Sequence, residues 1–148
     1  MALKNYTSGG RNTFEKIQQI LSSHGANKIM FDYKKDGTLE AITFGLEIDG
    51  QQRGFKLPAL VENVTEILYG GTDRWGRAKK ITETQREQAY CTAWANIRDW
   101  LDAQMALVET KQVKIQQVFL AYMVINKAGQ TLSEHFEANP KFLLKDNN

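Results

Sequence analysis

Apolar residues along the chain follow two different periods. They recur every three or four residues in four stretches, which predicts helices over about 12–24, 58–68, 83–110 and 113–125. They alternate with polar residues in three shorter stretches, which predicts strands over about 28–33, 42–48 and 51–57. The predicted order is α-β-β-β-α-α-α, an α+β domain in which helices pack against a small antiparallel sheet.

Turn and capping residues mark the ends of these segments. Asp-Gly pairs at 36–37 and 49–50 separate the strands, and such pairs between alternating runs predict hairpins. We therefore predict a three-stranded antiparallel meander. Three pairs have capping-box spacing and predict helix starts: Asn12 with Glu15, Thr82 with Gln85, and Thr131 with Glu134.

Length and composition predict one globular domain over residues 1–148. A chain of 148 residues buries about two-thirds of the surface that its unfolded form exposes. We expect a loose N-terminal arm over 1–11, a glycine- and arginine-rich loop over 69–80, and a polar C-terminal tail over 141–148.

The predicted helix over 83–110 is unusually long for so small a sheet, at roughly 40 Å. Trp100 and Leu107 lie off its main apolar stripe, which gives the helix a second apolar face. We expect this face to form a homo-oligomer interface, most simply a dimer. The alternative is that the helix over 113–125 covers it.

Several classes of protein do not fit the sequence. It has no apolar run of about 20 residues and no apolar segment of a secretory signal, so we expect neither membrane insertion nor export. The single cysteine, Cys91, has no disulfide partner within the chain and suits a cytoplasmic protein. A net charge of +2 is too balanced to attract polyanions by the overall field alone.

Catalytic and metal-binding motifs do not stand out. His24, His135 and Cys91 fall on separate predicted elements, so we expect no metal site and no cofactor. Cys91 is interpreted as a small core residue. No catalytic motif is recognisable and we expect a non-enzymatic protein, although two or three well-placed groups suffice for hydrolysis.

The loop over 69–80 is the strongest candidate for a ligand site. It combines three glycines, four cations and two aromatic residues. Arginine forks bind phosphate, glycine allows close backbone approach, and an aromatic ring stacks on a base. The candidate ligand-binding residues here are Tyr69, Gly70, Gly71, Arg74, Trp75 and Arg77. The alternatives are that Trp75 packs onto the core or that the loop is a disordered connector.

Residues 6–11 repeat this chemistry with Tyr6, a Gly-Gly pair and Arg11. They precede the helix predicted to start at Asn12, and a helix N-terminus is an anion site. Arg11 is therefore a further candidate phosphate ligand. The alternative is a loose arm without a ligand.

Residues 93–125 and 129–134, with 24–26 and 55–58, resemble a widespread family of small phage and prophage proteins. The resemblance excludes the 69–80 loop and brings no functional residues with it. It implies a phage accessory protein in the cytoplasm of a bacterial host. Such proteins commonly serve replication and recombination or counter host immunity.

Three functional hypotheses follow. The first is a non-enzymatic counter-defence protein that sequesters a nucleotide-derived immune signalling molecule. The second is a nucleic-acid-binding accessory factor of phage replication or recombination. The third is a protein-targeting inhibitor of a host defence system that acts through the spare face of the long helix.

Overall fold

The computed structural model describes residues 3–141, with side chains described from residue 12 onward. Its elements in chain order are α1 (Leu3–Ser23), β1 (Lys28–Tyr33), β2 (Leu39–Ile48), β3 (Gln51–Pro58), α2 (Val61–Tyr69), α3 (Glu83–Glu109), α4 (Ile115–Phe119) and α5 (Leu132–Ala138). A 3-10 turn, Leu120–Tyr122, follows α4. The predicted α+β class and α-β-β-β-α-α-α order are confirmed. Apart from Lys141, the predicted polar tail over 141–148 lies outside the described residues.

The sheet is the predicted antiparallel meander, in the order β1-β2-β3. Asp49 and Gly50 connect β2 to β3 with φ angles of 52° and 80°, the left-handed backbone that a two-residue hairpin requires. Cross-strand pairing places Phe44 opposite Phe55 on one face of the sheet. Helices α1, α3 and α4 contribute to the core that covers this face.

Aromatic residues of α3 fix the helix to the start of β2. Trp94 is 1% exposed, and its indole Nε1 donates a hydrogen bond to the Leu39 carbonyl at 3.2 Å. The Leu39 amide donates to the Tyr90 hydroxyl at 2.8 Å. Both backbone groups of one strand residue are thus bonded by the facing helix, which sets the position of α3 on the sheet.

Helix α1 differs from its predicted start. It begins at Leu3, so Asn12 lies inside the helix and caps nothing, and the predicted loose arm over 1–11 is helical backbone from residue 3. Asn and Glu three residues apart also occur inside helices, where they face the same side. The spacing of Asn12 and Glu15 therefore did not identify a helix start. The capping boxes at Thr82 and Thr131 are confirmed, and they open α3 and α5.

The helix predicted over 113–125 is shorter in the structure. It ends at Phe119, and after the 3-10 turn the backbone extends along the free edge of β3. The Val124 amide donates to the Gly54 carbonyl at 2.8 Å, and Met123 forms a β-bridge with Phe55. Pairing with this edge satisfies strand groups that a continued helix would leave open.

The second apolar face predicted for the long helix is partly covered within the chain. Trp100 packs edge-on against Phe119 and Tyr122, with ring centroids 6.0 and 5.9 Å apart, and Leu107 is half-buried. The segment after α3 therefore occupies part of that face, and an oligomer interface on α3 stays a prediction.

Candidate functional site

The 69–80 loop folds into a small hairpin that rises from the end of α2. Thr72 and Ala78 form a β-bridge, the Asp73 amide donates to the Arg77 carbonyl at 2.8 Å, and the Gly76 amide donates to the Asp73 carbonyl at 3.0 Å. We call residues 71–80 the basic hairpin. It contains Arg74, Arg77, Lys79 and Lys80 against one acid, so its net formal charge is 4 − 1 = +3.

Asp73 organises the basic hairpin from within. Its Oδ1 accepts hydrogen bonds from the backbone amides of Trp75 and Arg77 at 2.8 and 3.0 Å. Its Oδ2 lies 3.3 Å from Nε of Arg77, an ion pair across the turn. Gly76 has a φ angle of 78°, which closes the turn without the strain that a side chain would add. The Asp73 carboxylate therefore stabilises the turn from which the Arg74 and Arg77 side chains extend.

Trp75 is 68% exposed, and two guanidinium groups lie near its ring. The Cζ atoms of Arg74 and Arg77 are 5.2 and 5.1 Å from its ring centroid, within the range of cation–π attraction. We call these three residues the arginine–tryptophan cluster. Its exposure rules out the alternative in which Trp75 packs onto the core. The cluster presents a flat ring and two cations at one point of the surface.

Gly70 and Gly71 were predicted to let the backbone approach a phosphate closely, and their geometry does not support this role. The Gly70 amide donates to the Glu66 carbonyl at 2.9 Å, and the Gly71 amide donates to Oε1 of Glu66 at 3.2 Å. Both donors are engaged with the last turn of α2, so neither points freely at a phosphate. Tyr69 is the half-buried last residue of α2. Among the described ring contacts, none joins Tyr69 to Trp75.

Arg11 does not directly precede a helix N-terminus, although the sequence predicted that it would. Residues 6–11 lie within α1, so no helix N-terminus opens at Asn12 to provide an anion site. The Arg11 side chain lies outside the described side chains. Among the predicted ligand residues whose side chains the structure describes, Arg74, Trp75 and Arg77 are brought together.

Cys91 and the two histidines do not gather into a metal site within the described part of the chain. Burial raises the pKa of the Cys91 thiol, and the Glu87 carboxylate raises it further, so the neutral thiol is favoured over the nucleophilic thiolate. His24 Nε2 lies 2.9 Å from Oε1 of Glu109. Among the described side chains, no three His, Cys, Asp or Glu residues converge as metal ligands would.

The sheet face opposite the core carries a groove that the sequence did not predict. Gly45 and Gly54 are paired across β2 and β3 and line a groove of about 390 Å³, and the Gln52 side chain fills the place that a side chain at Gly45 would take. The side-chain amides of Asn27 and Gln52 form two reciprocal hydrogen bonds, at 2.9 and 2.7 Å, beside Gly45. The groove offers no stacking ring among its lining residues, so the arginine–tryptophan cluster remains the better candidate.

Removal of the Asp73 carboxylate tests whether it holds the basic hairpin. We expect Asp73→Ala to raise the rate of tryptic cleavage within residues 74–80 roughly 5- to 30-fold, because two hydrogen bonds from backbone amides and an ion pair are lost. Limited proteolysis with mass spectrometry of the fragments measures this rate.

Asp36→Ala is the matched control, because Asp36 accepts two hydrogen bonds from Thr38 in the β1–β2 turn. It should leave cleavage within 74–80 unchanged. Equal cleavage of the Asp73→Ala variant and the unaltered chain would show that the hairpin does not depend on Asp73.

No helix among the described residues is both long and apolar enough to span a bilayer. Comparison with protein families, with characterised proteins and with solved structures gives no match to this chain.

Proposed function

We propose that this protein is a non-catalytic binding protein for a nucleotide-containing ligand, held by Arg74, Trp75 and Arg77. The observation that supports the proposal is that Trp75 is exposed and has two guanidinium groups about 5 Å from its ring centroid. An aromatic ring on the surface stacks on a base, and guanidinium groups bind the adjoining phosphates in bidentate fashion. The Trp75 ring thus suits the base of a nucleotide, and the two guanidinium groups suit its phosphates.

The charge balance of the basic hairpin favours an anionic ligand. Asp73 pairs with Arg77, but the described side chains form no ion pair with Arg74, Lys79 or Lys80. Those three cations are exposed and available. Local cation clusters attract phosphates even where the net charge of the chain is small.

The openness of the cluster favours single-stranded nucleic acid as the form of the ligand. All seven residues from 74 to 80 are exposed. Sites for small molecules usually enclose most of the ligand surface, whereas single strands bind along open basic surfaces with exposed rings. A nucleic-acid-binding accessory function therefore fits this geometry better than sequestration by one chain.

Sequestration of a free nucleotide signal, as in a phage counter-defence protein, is the second candidate. It is favoured by the short span of the cluster, in which both guanidinium groups approach one ring at 5.2 and 5.1 Å. One nucleotide occupies such a span, but another surface would have to close over it. The third hypothesis, an inhibitor that acts through the spare face of the long helix, has less support, because Trp100 packs against Phe119 and Tyr122.

Trp75→Ala tests the proposal directly. We expect it to weaken binding of a fluorescein-labelled single-stranded oligonucleotide by about 1–3 kcal/mol, roughly 5- to 150-fold, through loss of stacking. Fluorescence anisotropy at low salt measures the affinity, and affinity should fall as salt rises because phosphate contacts release counterions. Trp75→Phe keeps a ring and should retain most of the binding.

Tyr33→Ala is the matched control, because Tyr33 is similarly exposed (62%) but lies at the end of β1. It should bind like the unaltered chain. Saturable binding of ATP or a cyclic dinucleotide without oligonucleotide binding would favour the second candidate. Binding of neither, or equal affinity of the Trp75→Ala variant, would overturn the nucleotide proposal.

A further inference from the structure

Strand β1 forms an open edge of the sheet. Among the described residues it pairs with β2 alone, in the order β1-β2-β3. The opposite edge is covered, because Met123 and Val124 pair with Phe55 and Gly54 of β3. Strand β1 has six residues and contains neither proline nor glycine. It therefore presents backbone groups to which another strand can bond.

The pairing of β2 shows which residues of β1 bond to it. In an antiparallel pair, successive residues point their amide and carbonyl groups alternately toward the neighbouring strand and away from it. The Gly54 carbonyl accepts from Val124 and so points away from its β2 partner, Gly45. Gly45 therefore points toward β1, where its carbonyl accepts from the Asn27 amide at 3.0 Å. Lys28, which lies opposite Gly45, bonds to β2.

Ile29 and Phe31 point their backbone amides and carbonyls out of the sheet. They alternate with Lys28, Met30 and Asp32, whose backbone groups face β2. The side chains of Ile29 and Phe31 lie on the core face and are only half-buried. Met30 is 58% exposed on the opposite face, which it shares with Lys28 and Asp32. The edge thus has open hydrogen-bonding groups and partly covered apolar side chains.

We propose that two copies of this chain pair through β1, antiparallel about a two-fold axis at Met30, and form one six-stranded sheet. A two-fold axis brings the same surface of both copies together. Ile29 of each copy then lies opposite the partner's Phe31, and the two residues exchange both backbone hydrogen bonds. Their side chains meet on the core face. This dimer goes beyond the proposed function and uses no residue of the arginine–tryptophan cluster, so each proposal can fail without the other.

The charges of β1 select this register. With the axis at Met30, Lys28 of each copy lies opposite the partner's Asp32. Opposite charges that face each other across antiparallel strands stabilise the pair, and like charges destabilise it. An axis one residue later sets Lys28 opposite Lys34, and an axis one residue earlier sets it opposite Met30. Among the described side chains, neither Lys28 nor Asp32 forms an ion pair within the chain.

Met30→Lys tests the interface, because the two side chains at this position meet at the axis and two positive charges there repel each other. Two six-residue strands form a small interface, so we expect a reversible dimer with a dissociation constant on the order of 10 µM. Sedimentation velocity from about 1 to about 100 µM should show a monomer–dimer equilibrium for the unaltered chain. The Met30→Lys variant should stay a monomer over this range, a loss of at least roughly 10-fold in affinity.

Leu120→Lys is the matched control. Leu120 is 51% exposed, close to the 58% of Met30, but it lies in the 3-10 turn that packs beside β3, at the opposite edge of the sheet. This variant should dimerise like the unaltered chain, and circular dichroism should show the same fold in all three proteins. A Met30→Lys variant that dimerises normally, or an equal loss in both variants, would overturn the β1 interface. An unaltered chain that stays monomeric would overturn it too and assign the edge to a strand of a different protein.

Hydrogen exchange followed by NMR locates the pairing at single amides. At about 300 µM, the amides of Ile29 and Phe31 should exchange roughly 5-fold more slowly in the unaltered chain than in the Met30→Lys variant, because each donates to the partner strand. The Asp32 amide bonds to β2 and should exchange at similar rates in both proteins. Equal exchange of Ile29 and Phe31 in dimer and monomer would show that β1 is not the interface.

A charge exchange tests the register. Lys28→Glu alone, or Asp32→Lys alone, sets like charges opposite each other and should weaken the dimer roughly 5- to 30-fold at low salt. The two changes together set opposite charges against each other again and should return the affinity to within about 3-fold of the original. Failure of the combined variant to recover dimerisation would overturn the antiparallel register about Met30.

Discussion

Replacing Trp94 with alanine is expected to lower the free energy of unfolding by about 3–5 kcal/mol. Trp94 is 1% exposed, packs against the edge of Phe14 at 5.5 Å between ring centroids, and donates a hydrogen bond to Leu39. The substitution leaves a cavity between α1, α3 and the sheet and removes the bond that fixes α3 to β2. Urea denaturation followed by far-UV circular dichroism measures the change.

Two variants separate the packing of Trp94 from its hydrogen bond. Trp94→Phe keeps most of the ring and loses the donor, so it should cost about 1–2 kcal/mol. Trp75→Ala makes the same truncation at a 68% exposed site and should change stability by no more than about 0.5 kcal/mol. Equal losses for Trp94→Ala and Trp75→Ala would contradict the role of Trp94 as the anchor of α3.

Replacing both Arg74 and Arg77 with alanine is expected to weaken oligonucleotide binding by about 2–4 kcal/mol, roughly 30- to 1,000-fold at low salt. Each guanidinium group provides charge-assisted hydrogen bonds to phosphate, and both groups lie beside Trp75. The salt dependence of the affinity should also become shallower, because fewer counterions are released on binding. Anisotropy titrations at several salt concentrations measure both quantities.

The control for this double variant removes the same charge elsewhere. Lys34→Ala with Lys35→Ala deletes two exposed cations after β1 and should leave the affinity within about twofold. Arg74→Lys with Arg77→Lys keeps the charge but loses the planar fork, so it should bind with intermediate affinity. An equal loss from the Lys34 and Lys35 pair would show that binding depends on overall charge and not on the cluster.

Much of the fold could be predicted because its signals are local. The turn at Asp49-Gly50 and the capping boxes at Thr82 and Thr131 depend on residues within three positions of each other. Such short-range bonds form in the same way in many folds. The start of α1 was not predictable from Asn12, because its pairing with Glu15 has the same spacing inside a helix as at its end.

The length of α4 depends on a contact that spacing does not reveal. Apolar residues keep a helical period over 113–125, but the Gly54 carbonyl accepts a hydrogen bond from Val124 and draws that segment to the sheet. Gly54 and Val124 are far apart in sequence. The same long-range packing places Trp100 against Phe119 and Tyr122 and leaves Leu60 and Ile67 exposed.

Sequence alone determined the α+β class, the strand meander, the long helix and the composition of the 69–80 loop, because periodicity and turn chemistry are properties of neighbouring residues. Only the tertiary structure decided how that loop presents its side chains. In the structure the amides of Gly70 and Gly71 donate to Glu66, and Trp75 is exposed with the guanidinium groups of Arg74 and Arg77 near its ring. Burial, exposure and the sharing of donors depend on how distant segments meet, and the pattern along the chain does not contain that information.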